Sequence, residues 1–257
     1  VADSVNGQVA IITGAAKGLG RAFASRFAAA GFEVVACDID PAIDELEGST
    51  LLADVSKPED VRRVVDTALE EYGRIDVLIN NAGIARGSQA GQDWELGLRD
   101  YEEIIGTNFF GAFLFGRAVA PIMIEQRIGH IVNVSTDHIY PTPGLRVHGH
   151  GGMDLYNASK WALNGLTLDW SASLLPYGIR VNGLCLGATD TPMLREFAVG
   201  APDEVVATWM KPRQICDLLL ELLAEGPKGR SGHNLGCWVG RPLSLEDSIE
   251  VGHRSES

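Results

Sequence analysis

The chain has 257 residues, 46% of them hydrophobic and 21% charged, enough to bury one large core of an ordinary globular kind. A net charge of −13 argues against a nucleic-acid partner or an anionic membrane surface. No apolar run approaches the roughly 18 residues needed to span a bilayer, and the start, Val1-Ala-Asp-Ser-Val-Asn6, lacks the basic and apolar regions of a signal peptide.

Short apolar runs alternate with longer amphipathic stretches along the chain. Residues 8–13 read as a buried strand ending in glycine, and 18–30 as a helix stopped by Gly31. Strands follow at 33–37 and 50–53, then a helix at 57–72 stopped by Gly73, and a strand at 75–80. A long helix is expected over 101–126, stopped near Gly129, with a strand at 130–135 behind it. The last elements are a helix at 155–175 stopped by Pro176 and Gly178, a strand at 179–185, a helix at 211–224 and a strand at 233–239. This alternation specifies an α/β fold, a doubly wound, Rossmann-like parallel sheet with helices on both faces and right-handed crossovers. There is no linker, repeat or low-complexity block, so residues 1–257 are expected to form a single domain. Cys37, Cys185, Cys216 and Cys237 lack paired spacing, which suits free thiols and a cytoplasmic location.

Ligands of such sheets sit beyond the carboxyl ends of the strands. The first of those ends carries Thr-Gly-Ala-Ala-Lys-Gly-Leu-Gly at 13–20. Gly14, Gly18 and Gly20 permit a tight turn and let backbone N–H groups meet a phosphate at a helix N-terminus. Asp38 ends the next strand about 20 residues further on, where a carboxylate binds adenosine ribose hydroxyls and repels a 2′-phosphate. That favours NAD over NADP, although Lys17 in the glycine turn is a cation of the kind a 2′-phosphate would use. Asp40 reads as a solvated acid. Tyr156 and Lys160, four residues apart, share one helix face. The ammonium is expected to lower the phenol from its usual value of about 10, giving a general acid/base for use near neutral pH. Such a group beside a nicotinamide is apparatus for alcohol–ketone interconversion.

The spacing Gly-x-x-x-Gly-x-Gly together with Tyr-x-x-x-Lys resembles the classical short-chain dehydrogenases/reductases. Asp54-Val55, Asn80-Asn-Ala-Gly83, Asn108, Ile131-Val-Asn-Val-Ser135, Ile179-Arg-Val-Asn182 and Thr191-Pro-Met193 extend the resemblance over nearly the whole chain. It implies an NAD(H)-dependent oxidoreductase acting on a small secondary alcohol or ketone. Tyr156 would carry the proton, Lys160 would assist it and hold the nicotinamide ribose, and Asn108 would anchor a proton relay. Gly14, Lys17, Gly18, Leu19 and Gly20 would form the dinucleotide turn, and Asp38 and Ile39 would meet the adenosine. Asp54 and Val55 would bracket the adenine, and Asn81, Ala82 and Gly83 would line the cofactor. Leu186, Gly187, Thr189 and Thr191 would follow the sixth strand, with Thr191 on the carboxamide. Substrate-side loops fall at 84–100, 137–154 and 188–210. The resemblance also implies a homotetramer built on the helices at 101–126 and 155–175. Phe109, Phe110, Phe113, Trp161 and Trp170 on them are candidates for either interface or core.

Departures from the family pattern shape further expectations. The usual serine pair is Ser135-Thr136 here. Successive strand residues face opposite ways, and position favours Thr136 as the hydroxyl that polarises the substrate oxygen. The usual Pro-Gly after the sixth strand is Leu186-Gly187, which frees one backbone angle. The stretch between Thr136 and Tyr156 is long, and 138–153 is expected to form a glycine-loosened flap whose Arg146, His148 and His150 suit a substrate carboxylate. His148-Gly-His150 lacks a carboxylate or thiolate partner, so no metal is expected. Two other readings remain: an NADPH-dependent reductase of carrier-linked 3-oxoacyl chains, which Asp38 disfavours, and a catalytically idle dinucleotide-binding sensor or scaffold, which the intact Tyr156, Lys160 and Asn108 disfavour.

Overall fold

The computed structural model describes residues 7–139, 151–241 and 243–245, with the backbone of 249–250. Strand β1 (Val9–Thr13) runs through the turn at 14–17 into helix α1 (Gly18–Ala29), which returns the chain to β2 (Glu33–Asp38). After a 3₁₀ turn come β3 (Ser49–Leu52), α2 (Pro58–Tyr72) and β4 (Val77–Asn80). Helix α3 (Trp94–Ile105) continues through a π-helical turn (Gly106–Gly111) into α4 (Ala112–Gln126). Then follow β5 (Gly129–Thr136), α5 (Asp154–Leu174), β6 (Ile179–Leu186), α6 (Pro192–Phe197), α7 (Asp203–Thr208), α8 (Pro212–Ala224), β7 (Asn234–Cys237) and β8 (Ile249–Glu250).

The strands form one sheet in the order β3-β2-β1-β4-β5-β6-β7-β8. Each pairing from β3 to β7 is parallel, and β8 pairs antiparallel with β7. Alternation along β1 divides the core. Ala10 and Ile12 pack with α1 and α8, while Val9 and Ile11 pack with α2, α4 and α5. The sheet therefore has helices on both faces. The strand order reverses between β2 and β4 about β1, so a crevice opens beyond Thr13 and Asn80.

Several elements differ from the sequence expectation. The long helix begins at Trp94, seven residues early, because the Asp93 side chain caps the Leu96 N–H at 3.0 Å. Its π turn has no sequence period of its own and owes its place to packing: a Cβ on Gly111 would lie 2.7 Å from Val55 Cγ2. An 18-residue window within Trp94–Gln126 reaches a mean hydropathy of 1.4, enough by length and composition for a membrane helix. Here Phe115, Val119 and Met123 enter the core beside the sheet. The antiparallel β8 was not expected, since two residues carry no periodicity. The aromatic candidates divide. Trp170 is buried so tightly that a Cβ on Gly116 would meet its ring, and Phe113 packs against that same ring, whereas Trp161 and Phe110 are exposed.

Candidate active site

The carboxyl ends of β1, β2 and β4 build a cradle from backbone-directed hydrogen bonds. Thr13 Oγ1 accepts from Asn81 N–H (3.1 Å) and Ala82 N–H (3.0 Å) and donates to the Ile79 carbonyl. Asn81 Nδ2 donates to the carbonyls of Thr13 (2.9 Å) and Gly14 (3.0 Å). The glycine turn is locked by close approach. A Cβ on Gly14 would lie 2.7 Å from Ala82 Cα, and one on Gly20 would lie on the Gly14 carbonyl oxygen. Gly18 has φ of 59° beside Thr191 and Pro192. No side chain caps α1, so the N–H groups of its first turn face outward for an anion.

Asp38 Oδ2 accepts from Ala16 N–H (2.9 Å), and Oδ1 accepts from Asp40 N–H (2.9 Å). The acid thus fixes the turn while standing at the strand end. Lys17 pairs with Asp40 at 3.1 Å, so Asp40 is an ion-pair partner and not merely solvated. Ile39 is an exposed apolar side chain at the same edge, and Leu19 is buried in the α1 core. Asp54 Oδ1 accepts from Ser56 N–H and Oγ–H (2.9 and 2.7 Å). Val55 is buried in the core on Gly111.

The second half of the site hangs on β5, α5 and the π turn. Asn108, buried in that turn, binds the Ile84 backbone both ways, accepting from its N–H (2.8 Å) and donating to its carbonyl (2.9 Å). Its Nδ2 also reaches Ser159 Oγ at 3.0 Å. Gly83 leaves room here: its Cβ would lie 3.4 Å from both Asn108 Oδ1 and Lys160 Nζ. Lys160 is buried, donates to the Val134 carbonyl (2.9 Å), and lies 5.9 Å from the centre of the Tyr156 ring. Burial lowers its ammonium to about 8.

Thr136 and Ser135 point apart. Thr136 Oγ1 accepts from His138 N–H at 3.4 Å and acts on the Tyr156 phenol, whereas Ser135 Oγ donates to the Lys160 backbone carbonyl at 3.3 Å. Tyr156 does not titrate as the sequence led us to expect. Burial raises its phenol above the usual value, the Thr136 hydrogen bond opposes the rise, and the Asp137 carboxylate adds to it. Lys160 does not offset this, because its own charge is weakened by burial and its ammonium is turned to Val134.

After β6, a Cβ on Gly187 would lie 2.9 Å from Asp137 Oδ2 and 3.2 Å from the Cys237 carbonyl oxygen, so the chain is closely packed there. Thr189 Oγ1 donates to the Gly187 carbonyl, and Thr191 caps α6 through Leu194 N–H. The segment 188–211 is closed at its base by Asp190, which pairs with Arg195 (2.6 Å) and Lys211 (2.9 Å). Those partners hold the Asp190 carboxyl at about 2. The flap expected at 138–153 lies mostly outside the described residues, as do Arg146, His148 and His150. Its ends are fixed. His138 stands edge-on to Tyr156 with Nδ1 2.9 Å from Asn157 Oδ1, and Ser88 Oγ donates to Asp154 at 2.5 Å.

Sequence reasoning missed Thr13, Asp137, His138, Ser159 and Asp190. Thr13 and Ser159 were in view inside the motifs, but their roles emerge only from contacts between distant segments. Asp137, His138 and Asp190 sit in loops with no diagnostic spacing.

A dinucleotide turn at a topological switch point, joined to a half-buried Tyr156 beside buried Lys160, Thr136 and Asn108, defines a nicotinamide-dinucleotide oxidoreductase. A family profile described as short chain dehydrogenase matches residues 8–200, and the chain belongs to that family, the short-chain dehydrogenases/reductases. It is 32% identical over 247 residues to the 3-oxoacyl-[acyl-carrier-protein] reductase FabG of Thermotoga maritima, covering 90% of this chain and 96% of that one. It is also 32% identical over 241 residues to a mitochondrial borneol dehydrogenase of Lavandula x intermedia, covering 90% and 89%. Among solved structures, the ligand-free aldohexose dehydrogenase of Thermoplasma acidophilum superposes with a TM-score of 0.78 at 27% identity, over 91% of this chain and 93% of that one. The 3-ketoacyl-(acyl-carrier-protein) reductase of Brucella melitensis, complexed with NADH, gives 0.77 at 28% identity over 91% and 97%.

Proposed function

We propose that the protein is an NAD(H)-dependent oxidoreductase that interconverts a small secondary alcohol and its ketone. The observation that carries this reading is the placing of a buried Lys160 ammonium 5.9 Å from the centre of the Tyr156 ring, beside Thr136 and an Asn108-anchored turn. The nicotinamide ring supplies or accepts the hydride when bound. Tyr156 exchanges the hydroxyl proton with the substrate oxygen. Thr136 orients that oxygen through a hydrogen bond. Lys160, buried beside Tyr156, would receive a ribose hydroxyl of the nicotinamide nucleotide. Asn108 fixes the strand-end backbone at Ile84 and joins it to α5 through Ser159.

Asp38 at the end of β2 supports NAD over NADP, since a carboxylate there repels a 2′-phosphate. Four buried free thiols suit a reducing, cytoplasmic location. The exposed Phe110, Trp161 and Leu168 on the helical face suit self-association into a homotetramer. The likeness to acyl-carrier-protein reductases keeps a second reading in play, in which the substrate is a carrier-linked 3-oxoacyl chain with NADPH. A screen of secondary alcohols with NAD, including cyclic, aromatic, steroid and sugar types, set against 3-oxoacyl thioesters with NADPH, separates the two. Turnover confined to the thioesters overturns the first reading. Nucleotide binding without turnover of either panel would leave a dinucleotide-binding sensor or scaffold.

A further inference from the structure

Lys17 and Arg21 flank the dinucleotide turn, and each is held by an acid from the segment that follows β2. Lys17 Nζ meets Asp40 Oδ2 at 3.1 Å, and Arg21 Nη1 meets Glu45 Oε2 at 3.2 Å while also donating to the Ala16 carbonyl. Asp40 is itself placed firmly. Its N–H donates to Asp38 Oδ1 (2.9 Å), and its other oxygen, Oδ1, accepts from Ala42 N–H (3.0 Å) at the head of the 3₁₀ turn Pro41–Glu45. Asp38 in turn grips the Ala16 N–H, next to Lys17. The chain therefore reads as one ladder: Ala16 to Asp38, Asp38 to Asp40, Asp40 to Lys17. Asp38 and Glu196 of α6 add their charges around the same ammonium.

We propose that Asp40 is a cofactor-specificity residue that works by occupying Lys17, so that the one cation in the glycine turn is withheld from a 2′-phosphate. This rests on the NAD reading above and extends it from Asp38 to a second acid with a different task. Asp38 stands where the adenosine ribose would lie and repels a phosphate directly. Asp40 acts on the cation that would otherwise offset that repulsion. Two backbone hydrogen bonds hold Asp40 in place to receive the Lys17 ammonium. Exposed ion pairs of this kind are worth little each and are weakened by salt. The expected effect is therefore a modest change in selectivity, not an exchange of cofactor.

The test is calorimetric titration of the purified chain with NAD and with NADP, in the absence of substrate, so that binding is read apart from turnover. Asp40→Asn keeps the oxygen that caps Ala42 and removes the charge. It should lower the ratio of NAD to NADP affinity by up to about fivefold, the upper end of one exposed ion pair. The change should shrink at high ionic strength. Adding Lys17→Gln to the same chain should cancel it. An unchanged ratio in Asp40→Asn overturns the proposal. A lowered ratio that survives Lys17→Gln overturns it too, because Asp40 would then act on the phosphate and not through Lys17. A wild-type chain that binds NADP more tightly than NAD would overturn the NAD reading instead, and the Asp40→Asn and double-variant ratios would still decide the role of Asp40.

Discussion

The two halves of the site are built differently. Around the glycine turn, side chains bind backbone: Thr13 holds the N–H groups of Asn81 and Ala82, Asn81 holds two carbonyls of the turn, and Asp38 holds Ala16. Around Tyr156, side-chain pairs stand beside the backbone contacts of Asn108, Lys160 and Ser135: Asn108 with Ser159, His138 with Asn157, and Asp190 with Arg195 and Lys211. Backbone partners are fixed by the sheet, so the cofactor half is set before any ligand arrives. Side-chain partners can be exchanged for a substrate at small cost, which is what a reacting centre requires. The contrast also separates binding from chemistry, and each half can be broken without the other.

The strongest test of that separation is Tyr156→Phe. Turnover should fall at least about 100-fold, the lower end of a general acid/base contribution. Nucleotide affinity, measured by titration, should hold because the turn is untouched. Near-normal turnover would remove Tyr156 from the chemistry. Gly20→Ala attacks the other half. The added methyl would lie on a backbone carbonyl, which cannot move cheaply. A loss of about 1–3 kcal/mol is expected from overpacking, seen as a lowered melting temperature together with weakened nucleotide binding. Unaltered melting and binding would show that the turn is less rigid than described.

Thr136→Ala sharpens the comparison within the catalytic half. Removing one hydrogen bond to a developing charge should cost on the order of tenfold in turnover. Ser135→Ala should cost less, since Ser135 Oγ binds the Lys160 backbone carbonyl. The reverse order, measured in steady-state kinetics, would transfer the role to Ser135.

The smallest effect concerns Asp137. Its carboxylate helps hold the Tyr156 phenol above the usual value. Removing that charge favours the phenolate, so the base form appears at lower pH. In Asp137→Asn the alkaline rise of alcohol oxidation should move down by up to about one unit. Ketone reduction, which needs the protonated phenol, should decline correspondingly earlier. Lys160, at about 8, titrates at lower pH than the phenol, so the displacement of the more alkaline limb is the readout. A pH–rate profile identical to wild type would detach Asp137 from Tyr156.

What the sequence determined by itself is what local geometry and periodicity dictate. Gly14, Gly18 and Gly20 mark a turn because only glycine tolerates the backbone approach at Gly14 and Gly20 and the positive φ at Gly18. Asp38 falls at a strand end because the apolar run stops at it, and Tyr156 and Lys160 share a helix face because of a spacing of four. From such signals the alternating strands and helices, and most of the residues at the crevice, were legible. The tertiary structure decided everything that depends on a distant partner or on burial. It gave Thr136 to the His138 N–H and Ser135 to α5, gave Lys17 to Asp40, buried Trp170 while leaving Trp161 exposed, and put Asn108 in a π turn. It also reversed the expected direction of the Tyr156 shift. A spacing of four brings an ammonium near a phenol, but the desolvation of both groups depends on the packing of β5, α5 and the π turn around them, and that packing is written in no single stretch of the chain.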